Sequence, residues 1–264
     1  MKFIGKAVFA VVAALLLSGL IVAQKTWEKP YQKWSKDDAL NIVSSSPWAA
    51  TYQSIAGSSA AAQSQIARNQ SDTVNSGGGG RNAGSFDRSA GPAPVVIRLH
   101  SGRPIREAIT RGRQLAVGYD KMNDQQKKDF DESGKGFLDC AICKDYYVVS
   151  VTKLPDSTSQ SIDEGIFERL KLEDLKGNVW LITDGGQERE IFQFTAPKKA
   201  GESAYLFFAR KDANGKDLIT KDVKDFKVVF NNAFYSGSNP YAVFIPRSTE
   251  FKVSKIMIGS ELAF

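Results

Sequence analysis

From residue 57 to residue 93 the chain is built mainly from Ala, Ser, Gln, Asn and Gly, with four consecutive glycines at 77–80. Such a stretch holds too little apolar surface to offset the entropy of ordering it, and it is predicted to be a disordered, low-complexity insert. It contributes nothing to a core, so the segments beside it must find their own partners. On one side lie residues 48–55 and on the other residues 94–100, both reading as strands. Loop-closure cost grows slowly with length, so the two can pair as a hairpin with a long tip. The glycine run is a poor match to a phosphate-binding loop. No Gly-Lys-Ser/Thr follows it and no strand leads in.

The N-terminus places Lys2 and Lys6 ahead of an apolar run over 7–23, broken only by Ser18 and Gly19. This is the charged and apolar pattern of a secretory signal, with Ile21-Val22-Ala23 offering a cleavage point after Ala23. The rival is a signal anchor, since the run just reaches the length of a spanning helix. The cleaved form is a secreted or periplasmic chain beginning at Gln24, of roughly 240 residues, one large domain or two small ones. No cysteine lies near the cut for lipid attachment, and no later segment is apolar enough to span a bilayer.

The formal charge of +6 falls to about +4 without Lys2 and Lys6. The pI near 9.1 comes with no Lys/Arg run and no basic stripe interleaved with aromatics, so no nucleic-acid partner is expected. After signal cleavage no membrane association is expected either.

Residues 24–56 form an N-terminal helix and strand. Ser35 followed by Asp38 is a capping-box signature opening a short helix that stops near Ser46-Pro47. Residues 94–264 form the main domain. Pro104 fits a first helical position, with Ile105, Ala108, Ile109 and Leu115 behind it and Gly112 a weak point. Asn123-Asp124 caps a very polar turn over 125–132, ending at Ser133-Gly134. Residues 146–152 are dense in β-formers, and a charged helix is expected over 161–176, stopped by Gly177. Further strands are expected over 178–183 and 190–195, joined through Asp184-Gly185-Gly186. A hairpin follows, from 205–210 through Asn214-Gly215 to 216–220, and strands over 226–230 and 251–257 close the chain. Turn signals every 10–15 residues or so, between antiparallel-type hairpins, point to a mainly β (α+β) fold. The expected form is an antiparallel β-sandwich or barrel-like sheet with a few peripheral helices.

Three stretches carry a resemblance: Lys29-Pro30 through Trp34-Ser35 to Ser46-Pro47-Trp48-Ala49; Val96-Ile97-Arg98-Leu99 to Pro104-Ile105-Arg106-Glu107-Ala108; and the run from Cys143-Lys144-Asp145 to Val149. Together they resemble an uncharacterised group of secreted bacterial proteins in which a Trp-Ser helix and a Ser-Pro-Trp turn precede a Gly-rich linker. The resemblance implies secretion and a common architecture, and carries no activity or catalytic residues with it.

Cys140-Ala141-Ile142-Cys143 is the sharpest chemical motif. This spacing serves thiol-disulfide exchange, but here it precedes a strand instead of opening a helix within a βαβ unit. A haem would need His where Lys144 stands, and zinc needs four ligands where the chain has one pair and one histidine. A local structural disulfide is the default in an oxidising compartment. His100, the sole histidine, would have to serve any Ser-His or Cys-His mechanism, yet no Gly-x-Ser-x-Gly elbow presents a nucleophile. Asp163, Glu164, Glu168, Glu173 and Asp174 share a predicted helix with basic residues, the pattern of a solvated face. The stretch from Asp212 to Asn214-Gly215 fits a hairpin turn better than a calcium loop. Residues 231–246 set Tyr235, Tyr241 and Phe244 among Ser, Gly, Asn and Pro, the composition of a candidate recognition loop.

No catalytic residues, metal site or cofactor are assigned. The sequence reads as a non-catalytic binding or interaction module, its partner an unidentified protein or small ligand. The alternative is a thiol-disulfide redox protein using Cys140 and Cys143, and a more distant third is a hydrolase.

Overall fold

The computed structural model describes residues 25–52, 95–153, 167–168, 170–199, 201–231 and 245–264. The expected signal segment 1–23 and the low-complexity stretch 57–93 lie outside these residues, as do Tyr235, Tyr241 and Phe244. Two short turns of 3-10 helix, Thr26–Glu28 and Tyr31–Lys33, lead into helix α1, Lys36–Ser45. Its start is set by the expected capping box: Asp38 N–H donates to Ser35 Oγ at 3.0 Å, and Ser35 N–H donates to Asp38 Oδ2 at 2.9 Å. Bonds from the Ser35 backbone and hydroxyl hold the Asp38 carboxyl below its ordinary value.

Strand β1 (Ala49–Tyr52) pairs antiparallel with β2 (Val95–Leu99), in register from Ala49 opposite Arg98 to Tyr52 opposite Val95. The two segments flanking the low-complexity stretch are therefore neighbours in one sheet. Helices α2 (Arg103–Ala116) and α3 (Asp124–Asp139) follow, then strand β3 (Tyr146–Lys153) and the one-turn helix α4 (Leu172–Leu175). The remaining strands are β4 (Val179–Thr183), β5 (Glu188–Glu190), β6 (Gln193–Thr195), β7 (Ala204–Ala209), β8 (Asp225–Phe230), β9 (Ser248–Lys252), β10 (Met257–Ile258) and β11 (Glu261–Leu262). They form a five-stranded sheet β1-β2-β3-β7-β6, a four-stranded sheet β5-β4-β8-β9 and the hairpin β10-β11. Among the described residues every pairing is antiparallel and no barrel closes, so the fold is α+β, built on two principal sheets. Among the described residues no helix is long and apolar enough to cross a membrane.

The period-two alternation of the strands builds one continuous core. Ile97, Leu99, Tyr147, Val149, Val151, Leu206 and Phe208 from the first sheet join Leu181, Phe226, Val228, Phe230 and Phe251 from the second. Trp48 extends this core towards the helices. Its indole lies so close to the turn after β2 that a Cβ on Gly102 would meet it at 2.6 Å and the Leu99 carbonyl at 2.9 Å. Glycine is needed there for space.

Several local expectations need correction. The run 190–195 is not one strand: Ile191 N–H bonds Val179 O in the four-stranded sheet, while Phe192 N–H bonds Phe207 O in the five-stranded one. The polar stretch after Asn123 is a full helix, not a turn ending at Ser133-Gly134. Asn123 and Gln126 form its capping box, and α3 runs through Gly134 and Gly136. Its tertiary anchors override those glycines: Phe130 meets the Tyr119 ring, Phe137 meets His100, and Arg106 Nε donates to Leu138 O. Of the charged helix expected over 161–176, residues 161–166 and 169 lie outside the described residues, and the described part holds the single helical turn α4, ending before Gly177 at φ +73°. The Asn214-Gly215 turn forms, but only the bridge Lys211–Asp217 joins its arms. Asp212 Oδ1 accepts from the Asn214 and Lys216 N–H groups, satisfying donors a longer ladder would have used. The final strand is displaced: β9 ends at Lys252 and a 3-10 turn occupies Val253–Lys255.

Candidate functional site: a cationic face of the five-stranded sheet

The alternation that buries Ile97 and Leu99 in the core turns Arg98 and His100 to the other face of β2. In register with Arg98 stands Ser150 on β3, and in register with Ser150 stands Tyr205 on β7. Helices α2 and α3 supply Arg106, Arg113 and Phe137 to the same neighbourhood. Arg111 of α2 ties that helix to its surroundings: its guanidinium donates to both oxygens of Asp120 at 3.0 Å and through Nε to the Trp34 carbonyl at 2.9 Å. The Tyr119 hydroxyl and the Gln114 amide both donate to Asp131 of α3, completing the clamp.

Arg98 is only 8% exposed. Its Nε donates to the Val43 carbonyl at the end of α1 at 2.5 Å, and its Nη1 to Thr152 Oγ1 at 2.6 Å. Thr152 is bonded in turn to the Ser203 hydroxyl at 2.7 Å. Among the described residues no carboxylate forms an ion pair with Arg98, and its Nη2 makes no bond. Burial lowers the guanidinium to about 10, which leaves it charged at neutral pH. A buried cation is ordinarily paired, so this one is unusual.

His100 lies edge-on between Phe137, at 5.4 Å between ring centres, and Tyr205, at 5.0 Å. Its Nδ1 is buried without a partner. Burial first, then the charges of Arg106, Arg98 and Arg113, push the imidazole down to about 3, so it is neutral. Arg106 is held by the carbonyls of Leu138, His100 and Ser101. Arg113 stacks over Phe137 at 4.7 Å. The nearby carboxylates are engaged elsewhere, Glu107 with Arg103 at 3.7 Å and Asp139 with Lys135 at 3.6 Å. The result is an uncharged imidazole ringed by three guanidinium groups.

Cys140 and Cys143 are joined as a disulfide next to this cluster. Cys140 ends α3 in the left-handed region at φ 42°, and a 3-10 turn, Ala141–Lys144, carries the chain into β3. Arg106 Nη1 lies 3.8 Å from Cys143 Sγ, and Arg210 Nη1 donates to the Cys143 carbonyl at 3.0 Å. Arg210 is itself stacked against Tyr147 and Phe264. The two cysteines are 8% and 5% exposed and pack with Val148 and Phe207 into a small second core. A bond so covered ties α3 to β3, and an attacking thiolate has little access to it.

The arrangement is ill suited to acid-base chemistry. A general base must take up a proton near working pH, which burial and then three neighbouring cations oppose at His100. Ser101 and Ser150 have buried Oγ atoms without partners, so neither donates to the imidazole. Asp174 caps its own helical turn by accepting from Lys171 N–H at 2.8 Å. Glu173 is exposed on the same turn and Glu168 stands in a separate turn, while Asp163 and Glu164 lie outside the described residues. Among the described residues no three His, Cys, Asp or Glu side chains are grouped to hold a metal ion. Sequence reasoning missed Arg98, Arg106, Arg113, Ser150 and Tyr205. The available signal was Arg98 itself, one charge inside the apolar run Val95-Val96-Ile97-Arg98-Leu99. Comparison with protein-family models, curated proteins and solved structures finds no match to this chain.

Proposed function

We propose that this chain is a non-catalytic binding module of a secreted or periplasmic protein, and that its ligand is engaged at the cationic face around Arg98 and His100. The observation that carries the reading is Arg98, a buried guanidinium with no carboxylate partner and an unused Nη2. Buried cations without a countercharge are uncommon and concentrate at working sites. The disulfide supports an oxidising compartment, and sequencing of the exported protein should start at Gln24.

The test is thermal unfolding of the exported chain against a panel of small anions, cations, sugars and peptides. At least one class is expected to raise the melting temperature by several degrees, and chromogenic esters and glycosides are expected to remain uncleaved. A panel with no stabilising class removes the reading, as does turnover that His100→Phe abolishes.

A second reading has one observation in its favour. The Arg106 cation beside Cys143 Sγ would stabilise a thiolate once the bond is reduced, as a redox protein requires. A reduction potential above roughly −200 mV would favour exchange chemistry, and one below about −300 mV a structural staple. The burial of both cysteines favours the staple.

A further inference from the structure

We infer that Arg98 and Ser150 form a subsite for an oxyanion, the carboxylate or phosphate group of a small ligand. The inference rests on the binding-module reading and gives that site its chemistry. Arg98 on β2 and Ser150 on β3 are directly opposed in an antiparallel pair, so they share one face with their Cβ atoms about 5 Å apart. Two arms of the guanidinium are committed, Nε to Val43 O and Nη1 to Thr152 Oγ1, which fixes the fork in place. The Nη2 arm keeps its two N–H donors free. On the residue in register with Arg98, the Ser150 hydroxyl is buried without any partner, the residue being 1% exposed.

Ser150 therefore breaks the rule that buried polar groups are bonded, and Arg98, among the described residues, the rule that buried cations are paired. Both offer donors, and one is positively charged. A cation is repelled by such a site. A neutral carbonyl would satisfy the donors and leave the charge uncompensated. An oxyanion satisfies both, since a guanidinium fork and a hydroxyl match the spread lone pairs of carboxylate and phosphate oxygens. His100, two residues along the same strand face, adds an unbonded ring nitrogen, and Arg106 and Arg113 reinforce the field. No carboxylate among the described residues competes for Arg98. Half-buried Tyr205, in register with Ser150, borders the subsite on its β7 side.

The test is an NMR titration of the 15N-labelled exported chain with inorganic phosphate, acetate and glucose at constant ionic strength. The expected result is a saturable shift of the Arg98 Nε–H and the Ser150 amide with phosphate or acetate and none with glucose. Affinity should fall about tenfold in Arg98→Lys and in Ser150→Ala. Ser150→Ala removes a hydroxyl that bonds nothing in the protein, so it tests the subsite even if Arg98→Lys folds poorly. Acetate and phosphate separate the two sources of the oxyanion. Absence of a saturable shift with either anion overturns the inference, as does equal affinity in the wild type and Ser150→Ala. Glucose shifting these same resonances overturns the oxyanion chemistry and leaves the binding module standing. Failure of the whole thermal panel removes both.

Discussion

On one face of the five-stranded sheet, Ile97, Leu99, Tyr147, Val149 and Phe208 pack into the core shared with the four-stranded sheet. One step along the same strands, the other face presents Arg98, His100, Ser150, Thr152 and Tyr205. The hydrogen-bond ladder is common to both, so the difference lies in the side chains alone. Each large apolar side chain on the first face contributes about 1.5–3 kcal/mol by leaving water. On the second, each buried polar group must recover what it loses in hydration, and His100 Nδ1 and Ser150 Oγ have no partner with which to do so.

Substitutions can sharpen or break this contrast. The largest effect is expected from Phe208→Ala on the apolar face. Phe208 is fully buried in the core, and its truncation should cost about 3–5 kcal/mol, read as a fall in the urea midpoint. A cost near that of an average polar-face variant would erase the distinction.

Next comes pH. The His100 imidazole is held near 3 in the folded chain, against about 6.5 when unfolded. Below 6.5 the unfolded chain takes up a proton that the folded chain refuses. Stability is therefore lost as pH falls, by about 1.4 kcal/mol per unit, until the folded value is reached. Between pH 6.5 and 4.5 the wild type should lose about 2–3 kcal/mol more than His100→Phe, which keeps the ring packing and does not titrate. Parallel curves for the two proteins would mean that the imidazole accepts its proton when folded and that neither burial nor the cationic cluster holds it neutral.

The disulfide lies at the border of the polar face, and its ring is short. Replacing both cysteines, Cys140→Ser with Cys143→Ser, should cost about 2 kcal/mol by chain entropy. Reductant should shift the wild-type midpoint and leave the variant where it is. The smallest effect is expected from Ser150→Ala, within about 0.5 kcal/mol, since no protein bond is lost. A loss above about 1 kcal/mol would show that the hydroxyl is satisfied within the protein.

What the sequence revealed was local. The Ser35–Asp38 box, Pro104 in the first turn of α2 and the β-former run of β3 depend on neighbours in the chain, and all three stand as read. The run 190–195 was misread because alternation gives the period of a strand without saying which sheet receives it. Helix α3 escaped notice because its first ten residues carry a single apolar side chain, Phe130, and its fixing groups come from His100, Arg106 and Tyr119. Disulfide pairing at this spacing was legible. The cationic face was not, for a related reason. Arg98 announces itself in an apolar run, but the lack of a carboxylate partner is a property of the assembled fold. His100, Arg106 and Arg113 meet only once α2 has folded back beside β2.

The handover at Ile191–Phe192 has a mechanical consequence. Consecutive peptide groups there are bonded into different sheets, one to Val179 and the next to Phe207. A tensile load drawing the two sheets apart would converge on that junction, and one sheet cannot peel away without tearing at the edge of the other. The junction acts as a rivet, so the two sheets should rupture in a single step under force, and the two amides should exchange their protons at a common rate.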